Sequence, residues 1–158
     1  MLIDANQLFS NAQAITADAV GTNVIDLSSD RSIGNGEPMG VVFVVTVAAD
    51  QTTGDEDYTF DVEYASNAAQ TTGRQLIGRR VFESGTPTAP AQDADLLVAG
   101  FKFVVPIPQT QLSESERYLG VRYDVTGTTP TITVTAFLQP MSMIGGSGNT
   151  YADGFSIQ

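Results

Sequence analysis

Residues 117–139, RYLGVRYDVTGTTPTITVTAFLQ, read as two runs of strict period-two alternation separated by a Gly/Thr/Pro turn. In the first run Leu119, Val121, Tyr123 and Val125 alternate with Tyr118, Gly120, Arg122 and Asp124; in the second, Ile132, Val134, Ala136 and Leu138 alternate with Thr131, Thr133, Thr135 and Phe137. Side chains on a strand point alternately to opposite faces, so each run presents one apolar face to a core and one polar face outward. The turn between them predicts a β-hairpin in an antiparallel sheet.

The same signature recurs along the chain. Tyr58, Phe60, Val62 and Tyr64 alternate with Thr59, Asp61, Glu63 and Ala65, which predicts a strand whose polar face meets water. Residues 39–49, MGVVFVVTVAA, are apolar at both parities and predict a strand covered on both sides. Shorter or less regular strands are expected at 23–27, 74–83 and 96–105, the last continuing into PIPQ. Turn-forming clusters at 30–38, 50–57, 67–73 and 84–95 separate them, and the last of these is long enough to suggest a functional loop. A capping-box pattern of Ser113 with Glu116 allows one helical turn before the final pair of strands. About eight strands with this little helix predict an all-β, antiparallel β-sandwich in one domain covering residues 1–158. Extended arms are expected at 1–11 and 140–158.

Composition narrows the chemistry. At 158 residues one core can form without staples, since a domain this size hides roughly 70% of its unfolded surface. With no Cys, His or Trp, the chain lacks disulfides, thiolate metal sites and the commonest general base. An enzyme is therefore not expected, nor a cofactor or metal. The net charge of −11 disfavours direct binding to nucleic acid or an anionic membrane. Neither a signal peptide nor a membrane span is legible: Asp4 stands where a basic residue would be needed, and the apolar run 41–47 is far too short.

Four groups of residues are candidates for a site. Asp50, Asp55, Glu56 and Asp57 surround Gly54 and could hold Ca²⁺, although the spacing departs from an EF-hand and a solvated acidic turn is the simpler reading. Glu83, Asp93, Asp95, Glu114 and Glu116 could supply a paired-carboxylate glycosidase site, but there is no Trp to line a sugar cleft. Arg74, Arg79 and Arg80 collect three of the seven basic residues on one strand. Arg79 and Arg80 point opposite ways, so one of them is placed to reach a carboxylate on a partner, unless both pair with the chain's own acids. Large apolar residues also occupy both predicted arms: Met1, Leu2, Ile3, Leu8 and Phe9 at the start, and Met141, Met143, Ile144, Tyr151 and Phe155 at the end. Such groups dock either on their own sandwich or on a neighbour.

The opening MLIDANQLFSNAQAIT, then TNVIDL, GNGEP before a Val-rich strand, RYLGVRYDV and TVTAFLQ resemble, in order and spacing, the jelly-roll capsid cement (decoration or stabilising) proteins of tailed bacteriophages. The resemblance implies a jelly roll that binds the outer surface of an assembled phage head and bridges neighbouring major capsid subunits. It also implies self-association, as a homodimer or homotrimer, and production in the cytoplasm of a bacterial host. No catalytic or residue-level binding motif is carried over. A carbohydrate-binding jelly-roll module of tail-fibre or lectin type is the alternative, favoured by outward aromatic residues or a bound Ca²⁺.

Overall fold

The computed structural model describes residues 5–28, 37–83, 96–108 and 117–144. A 3-10 turn (Ala5–Gln7) leads into β1 (Leu8–Ile15), β2 (Ala19–Val20), β3 (Ile25–Asp26), β4 (Met39–Val47), β5 (Asp57–Ala65), β6 (Gln75–Glu83), β7 (Lys102–Ile107), β8 (Tyr118–Thr126) and β9 (Ile132–Pro140), followed by the single helical turn α1 (Met141–Ile144). Among the described residues these nine strands form two antiparallel sheets. One has the order β1-β9-β4-β7; the other has the order β2-β8-β5-β6, with β3 also pairing with β8.

The pairing is nested. The first strand lies beside the last (β1 with β9), β2 and β3 together beside β8, β4 beside β7, and β5 beside β6. This is a jelly roll of eight positions whose second position is split in two, as the resemblance implies. At the split, Gly21 donates its amide to the Val121 carbonyl at 2.9 Å, and a Cβ there would stand 2.8 Å from Val121 Cγ2.

Nesting corrects the reading of residues 117–139. Both runs are strands with the predicted inward residues, but β8 and β9 lie in different sheets and do not form a hairpin. The connection 127–131 crosses from one sheet to the other and is pinned to the β4–β5 turn: Asp55 accepts from the Thr128 amide and hydroxyl, and the Asp50 amide donates to the Thr131 carbonyl. Among the long strands, β5 and β6 are the consecutive pair joined as a hairpin.

Phe60 centres the aromatic core. Its ring centroid is 5.5 Å from Phe43, 4.9 Å from Phe103, 5.8 Å from Phe82 and 5.8 Å from Tyr123, each contact edge-on. Phe43 and Phe103 come from one sheet and Phe82 and Tyr123 from the other, so Phe60 joins the two layers. T-shaped pairs of this kind add to the area buried.

Three expected boundaries change. The N-terminal arm does not extend to residue 11: β1 begins at Leu8, and Phe9 is fully buried in the core. Two register shifts and the left-handed Ala12 (φ 46°) break the period of β1 and hide it in the sequence. The strand expected from residue 96 begins at Lys102; residues 96–101 form a turn that bonds to Val45 of β4 through Phe101 and Gly100 and to Ala49, just beyond β4, through Leu97, with Gly100 at φ 92°. Residues 141–144, expected within an irregular arm, form α1, whose Met141 amide donates to the Pro38 carbonyl at 2.8 Å.

Candidate functional site

The inward faces of both sheets are filled by the core, so the candidate residues lie on the outer faces and in the connecting turns. The two outer faces differ sharply in chemistry.

On the five-stranded sheet, the parity of β5 expected to face water carries Asp61 and Glu63, and both are 1% exposed. Correcting that expectation, guanidinium groups from the flanking strands β6 and β8 lie over them, together with that of Arg74, which was expected on the same strand as Arg79 and Arg80 but stands just before β6. Arg79, the register partner of Asp61 on β6, grips it in a two-pronged fork, Nε to Oδ1 at 2.7 Å and Nη2 to Oδ2 at 2.6 Å. Arg74 reaches Glu63 through Nε at 2.9 Å and Nη2 at 2.8 Å, and Arg122 of β8 reaches the same carboxylate through Nη2 at 3.1 Å. Arg122 Nη2 also donates to the Gln70 carbonyl at 2.8 Å, tying the 66–74 loop to this face. Hydrogen bonding to the carboxylates raises the Arg74 and Arg79 pKa values above their already high ordinary value. Asp124 on the same face has its carboxyl pushed up, first by partial burial and then by repulsion from Asp61 and Asp18.

Arg74 and Arg79 are therefore bound to the chain's own acids while their side chains stay 43% and 50% exposed. The Arg80 guanidinium lies over the Phe82 ring, 5.0 Å from its centroid. Arg122, Gln70 and Gly120, absent from the sequence-based candidates, complete this network. Gly120 was the available signal, because a glycine inside an otherwise regular strand marks a close approach.

The acidic turn at 50–57 is wired to itself. Glu56 is fully buried and accepts from the amides of Thr53, Gly54 and Asp55 and from the Thr53 hydroxyl. Burial raises its pKa, but these bonds outweigh it and the net shift is downward. Asp50 bonds Thr52, and Asp55 bonds Thr53 and Thr128; both carboxyls are held below their ordinary value by those bonds. Tyr58 anchors the turn from inside, donating to the Asp50 carbonyl at 2.5 Å, and burial pushes its pKa up to about 12. Among the described residues no group of three or more acids is arranged to hold a metal ion.

The outer face of the four-stranded sheet is nearly free of charge. Its four strands contain one charged residue, Lys102. Register partners Leu8, Phe137, Val42 and Val104 make an apolar row across all four strands, and Phe137 and Val42 lie outside the inner core although only 4% and 6% exposed. α1 stands at one end of this face. A Cβ on Gly40 would meet Met141 Sδ at 2.8 Å and Ile144 Cδ1 at 3.2 Å, so both side chains pack on the β4 backbone. Met143 points away and is 63% exposed. At the opposite end Val47, Leu96 and Val98 are 58%, 46% and 54% exposed.

The remaining candidates separate. Met1, Leu2, Ile3, Tyr151 and Phe155 lie outside the described residues, as do Ser113, Asp93, Asp95, Glu114, Glu116 and the 84–95 loop; Glu83 is exposed on β6. A shallow groove of about 340 Å³ runs between Asn6, Leu8, Asn23, Val24, Ile25 and Asp26, with Asp26 salt-bridged to Arg117. Among the described residues no helix is long and apolar enough to cross a membrane.

No curated protein matches the sequence. A family model described as Bbp16 matches residues 9–138, a span that runs from within the first strand to within the last and takes in strands of both sheets. The chain belongs to the Bbp16 family, a phage-associated family.

Proposed function

We propose that this protein is a structural component of a phage virion that binds the outer surface of the assembled head and cements neighbouring major capsid subunits. The observation that carries the reading is the contrast between the two outer faces, with 18 acidic residues in the chain and a single charge, Lys102, on the strands of the four-stranded sheet. An acidic protein gains by keeping charge off the surface that must lose water against a partner, because desolvating unpaired charge is costly. The exposed apolar residues at the two ends of that face, Met143 at one and Val47, Leu96 and Val98 at the other, supply that surface. A protein that binds the closed lattice and not the free subunit shifts assembly toward the closed particle, and bridging several subunits slows its release. Two or three copies acting together add to that effect.

The reading is tested by cosedimenting purified protein with heads stripped of it. Wild type is expected to pellet with the heads and restore their resistance to heat, and the double substitution Val44→Asp with Met143→Asp is expected to abolish pelleting at an unchanged unfolding midpoint. Wild type that stays in the supernatant rejects the reading. The carbohydrate-binding alternative has one supporting observation, the amide and carboxylate groups of Asn6, Asn23 and Asp26 around the groove, but the apolar part of that lining is aliphatic, where sugar rings favour aromatic platforms.

A further inference from the structure

Lys102 is the only lysine of the chain and the only charged residue on the strands of the four-stranded sheet. Its setting differs from that of every described arginine. Arg74, Arg79, Arg117 and Arg122 are each salt-bridged to a carboxylate, and the Arg80 guanidinium lies over the Phe82 ring. Lys102 is exposed, and among the described residues its ammonium has no acidic partner, in a chain with 18 acidic residues. It opens the edge strand β7 in register with Val44, which is in register in turn with Thr135. Register partners on neighbouring strands share a face, so Lys102 stands beside Val44 on the outer face. Thr133, between the core residues Ile132 and Val134, faces the same way and sets its register partner Val47 there too. The turn bearing Leu96 and Val98 bonds back to Val45 through Gly100 and Phe101. The unpaired cation is therefore at the end of the face where Val47, Leu96 and Val98 are exposed.

We propose that Lys102 sets the register of head binding: the capsid subunit that meets this end of the face presents a carboxylate to Lys102 Nζ and apolar side chains to Val47, Leu96 and Val98. The inference rests on the head-binding reading and names the chemistry of the partner at that surface. A contact closing over Lys102 without an anion would strip water from an unpaired ammonium, which is costly. At the first residue of an edge strand the pair lies at the margin of the contact, where it stays partly wet and serves specificity more than affinity. The aliphatic stem of the lysine can lie along the apolar group while its ammonium reaches the carboxylate. An isolated carboxylate fits and an acidic patch does not, because the net charge of −11 repels an extended acidic surface. A lysine on an edge strand also deters pairing with another chain, but a charge of either sign does that. Only recognition of a carboxylate requires the positive one.

The probe is a phage head stripped of this protein. Wild type is expected to pellet with it, and a carbodiimide, which joins an amine directly to a carboxylate in contact with it, is expected to couple Lys102 to an Asp or Glu of the major capsid subunit, as read by peptide mass spectrometry. Lys102→Arg should remove that cross-link, since a guanidinium does not couple in this way. The protein concentration that half-saturates the heads is expected to rise about fivefold in Lys102→Gln, the upper worth of one exposed ion pair, and further in Lys102→Glu. Lys102 is exposed and unpaired among the described residues, so the unfolding midpoints of these variants should match that of wild type. Half-saturation by Lys102→Glu at the wild-type concentration, or a Lys102 cross-link that runs only to another copy of this chain, would overturn the proposal and leave head binding standing. Wild type that stays in the supernatant would overturn both.

Discussion

The side chain of Gln70 lies flat on the backbone of Gly120, so close that a Cβ at position 120 would stand 1.6 Å from Nε2 and 2.4 Å from Cδ. Gln70 is fully buried by this contact, and its carbonyl receives Arg122. One glycine in β8 thus lets the loop after β5 close over the ion network on the five-stranded sheet.

Gly120→Ala is expected to destabilise the protein by about 2 kcal/mol, as overpacking a well-filled site does. Combining it with Gln70→Ala should recover part of that loss, since the two residues share one contact. Urea titration of the two single variants and the double variant measures the coupling; strict additivity would contradict the contact.

Phe60→Ala should cost about 3–5 kcal/mol, because a ring touching four others leaves a cavity that neither sheet can collapse to fill. Phe60→Leu keeps most of the volume and should cost under about 1.5 kcal/mol. Thermal midpoints of the two variants give the comparison.

The acidic turn predicts an acid limb of stability. Asp50, Asp55 and Glu56 are held below their ordinary values of 3.8, 3.8 and 4.5, so the stability they contribute is present above those values and is lost as pH falls through the lower folded ones. Glu56→Gln should lower stability at neutral pH and flatten the decline on the acid side. Denaturant midpoints followed from pH 7 downward through that range check both effects.

Asp124 carries the opposite sign. Its folded pKa is raised above 3.8, so the folded form holds the proton more tightly and the ionised group is a net cost at neutral pH. Asp124→Asn should stabilise the protein at pH 7, by under about 1 kcal/mol once solvent screening is allowed for. That gain should shrink as pH falls through the folded value toward 3.8.

Gly40→Ala pushes on α1. The added Cβ would meet Met141 Sδ at 2.8 Å and Val104 Cγ1 at 2.9 Å, and the flexible thioether can yield more readily than the valine. A loss of about 1 kcal/mol is expected. If α1 belongs to the head-binding surface, cosedimentation should fall further than this loss accounts for, and unimpaired pelleting would remove α1 from that surface.

The legible parts of the molecule were those with unbroken period two. Leu119, Val121, Tyr123, Ile132, Val134 and Leu138 face the core as their spacing required, and so do Tyr58, Phe60, Val62 and Tyr64. β1 was illegible because its bulges place Phe9 and Ser10 side by side toward the interior, where Ser10 Oγ meets Tyr123 Oη at 2.7 Å. The ion network was half legible. Arg74 and Arg79 stood out as a cluster, but their partners sat on a parity of β5 that reads as solvent-facing.

The chain by itself determined which residues point inward on the strands of unbroken alternation, and that the chain lacks Cys and His chemistry, because side-chain direction follows from backbone period and composition is a property of the chain alone. Only the tertiary structure decided which strands pair. A five-residue connection such as 127–131 can close a hairpin or cross between layers with the same turn-forming residues. The choice rests on contacts that are remote in sequence: Asp55 on Thr128, Asp50 on Thr131, and β8 and β9 each taken up by a different sheet. The same remoteness placed Asp61 beneath Arg79 and left the nearly charge-free face on the opposite side of the sandwich.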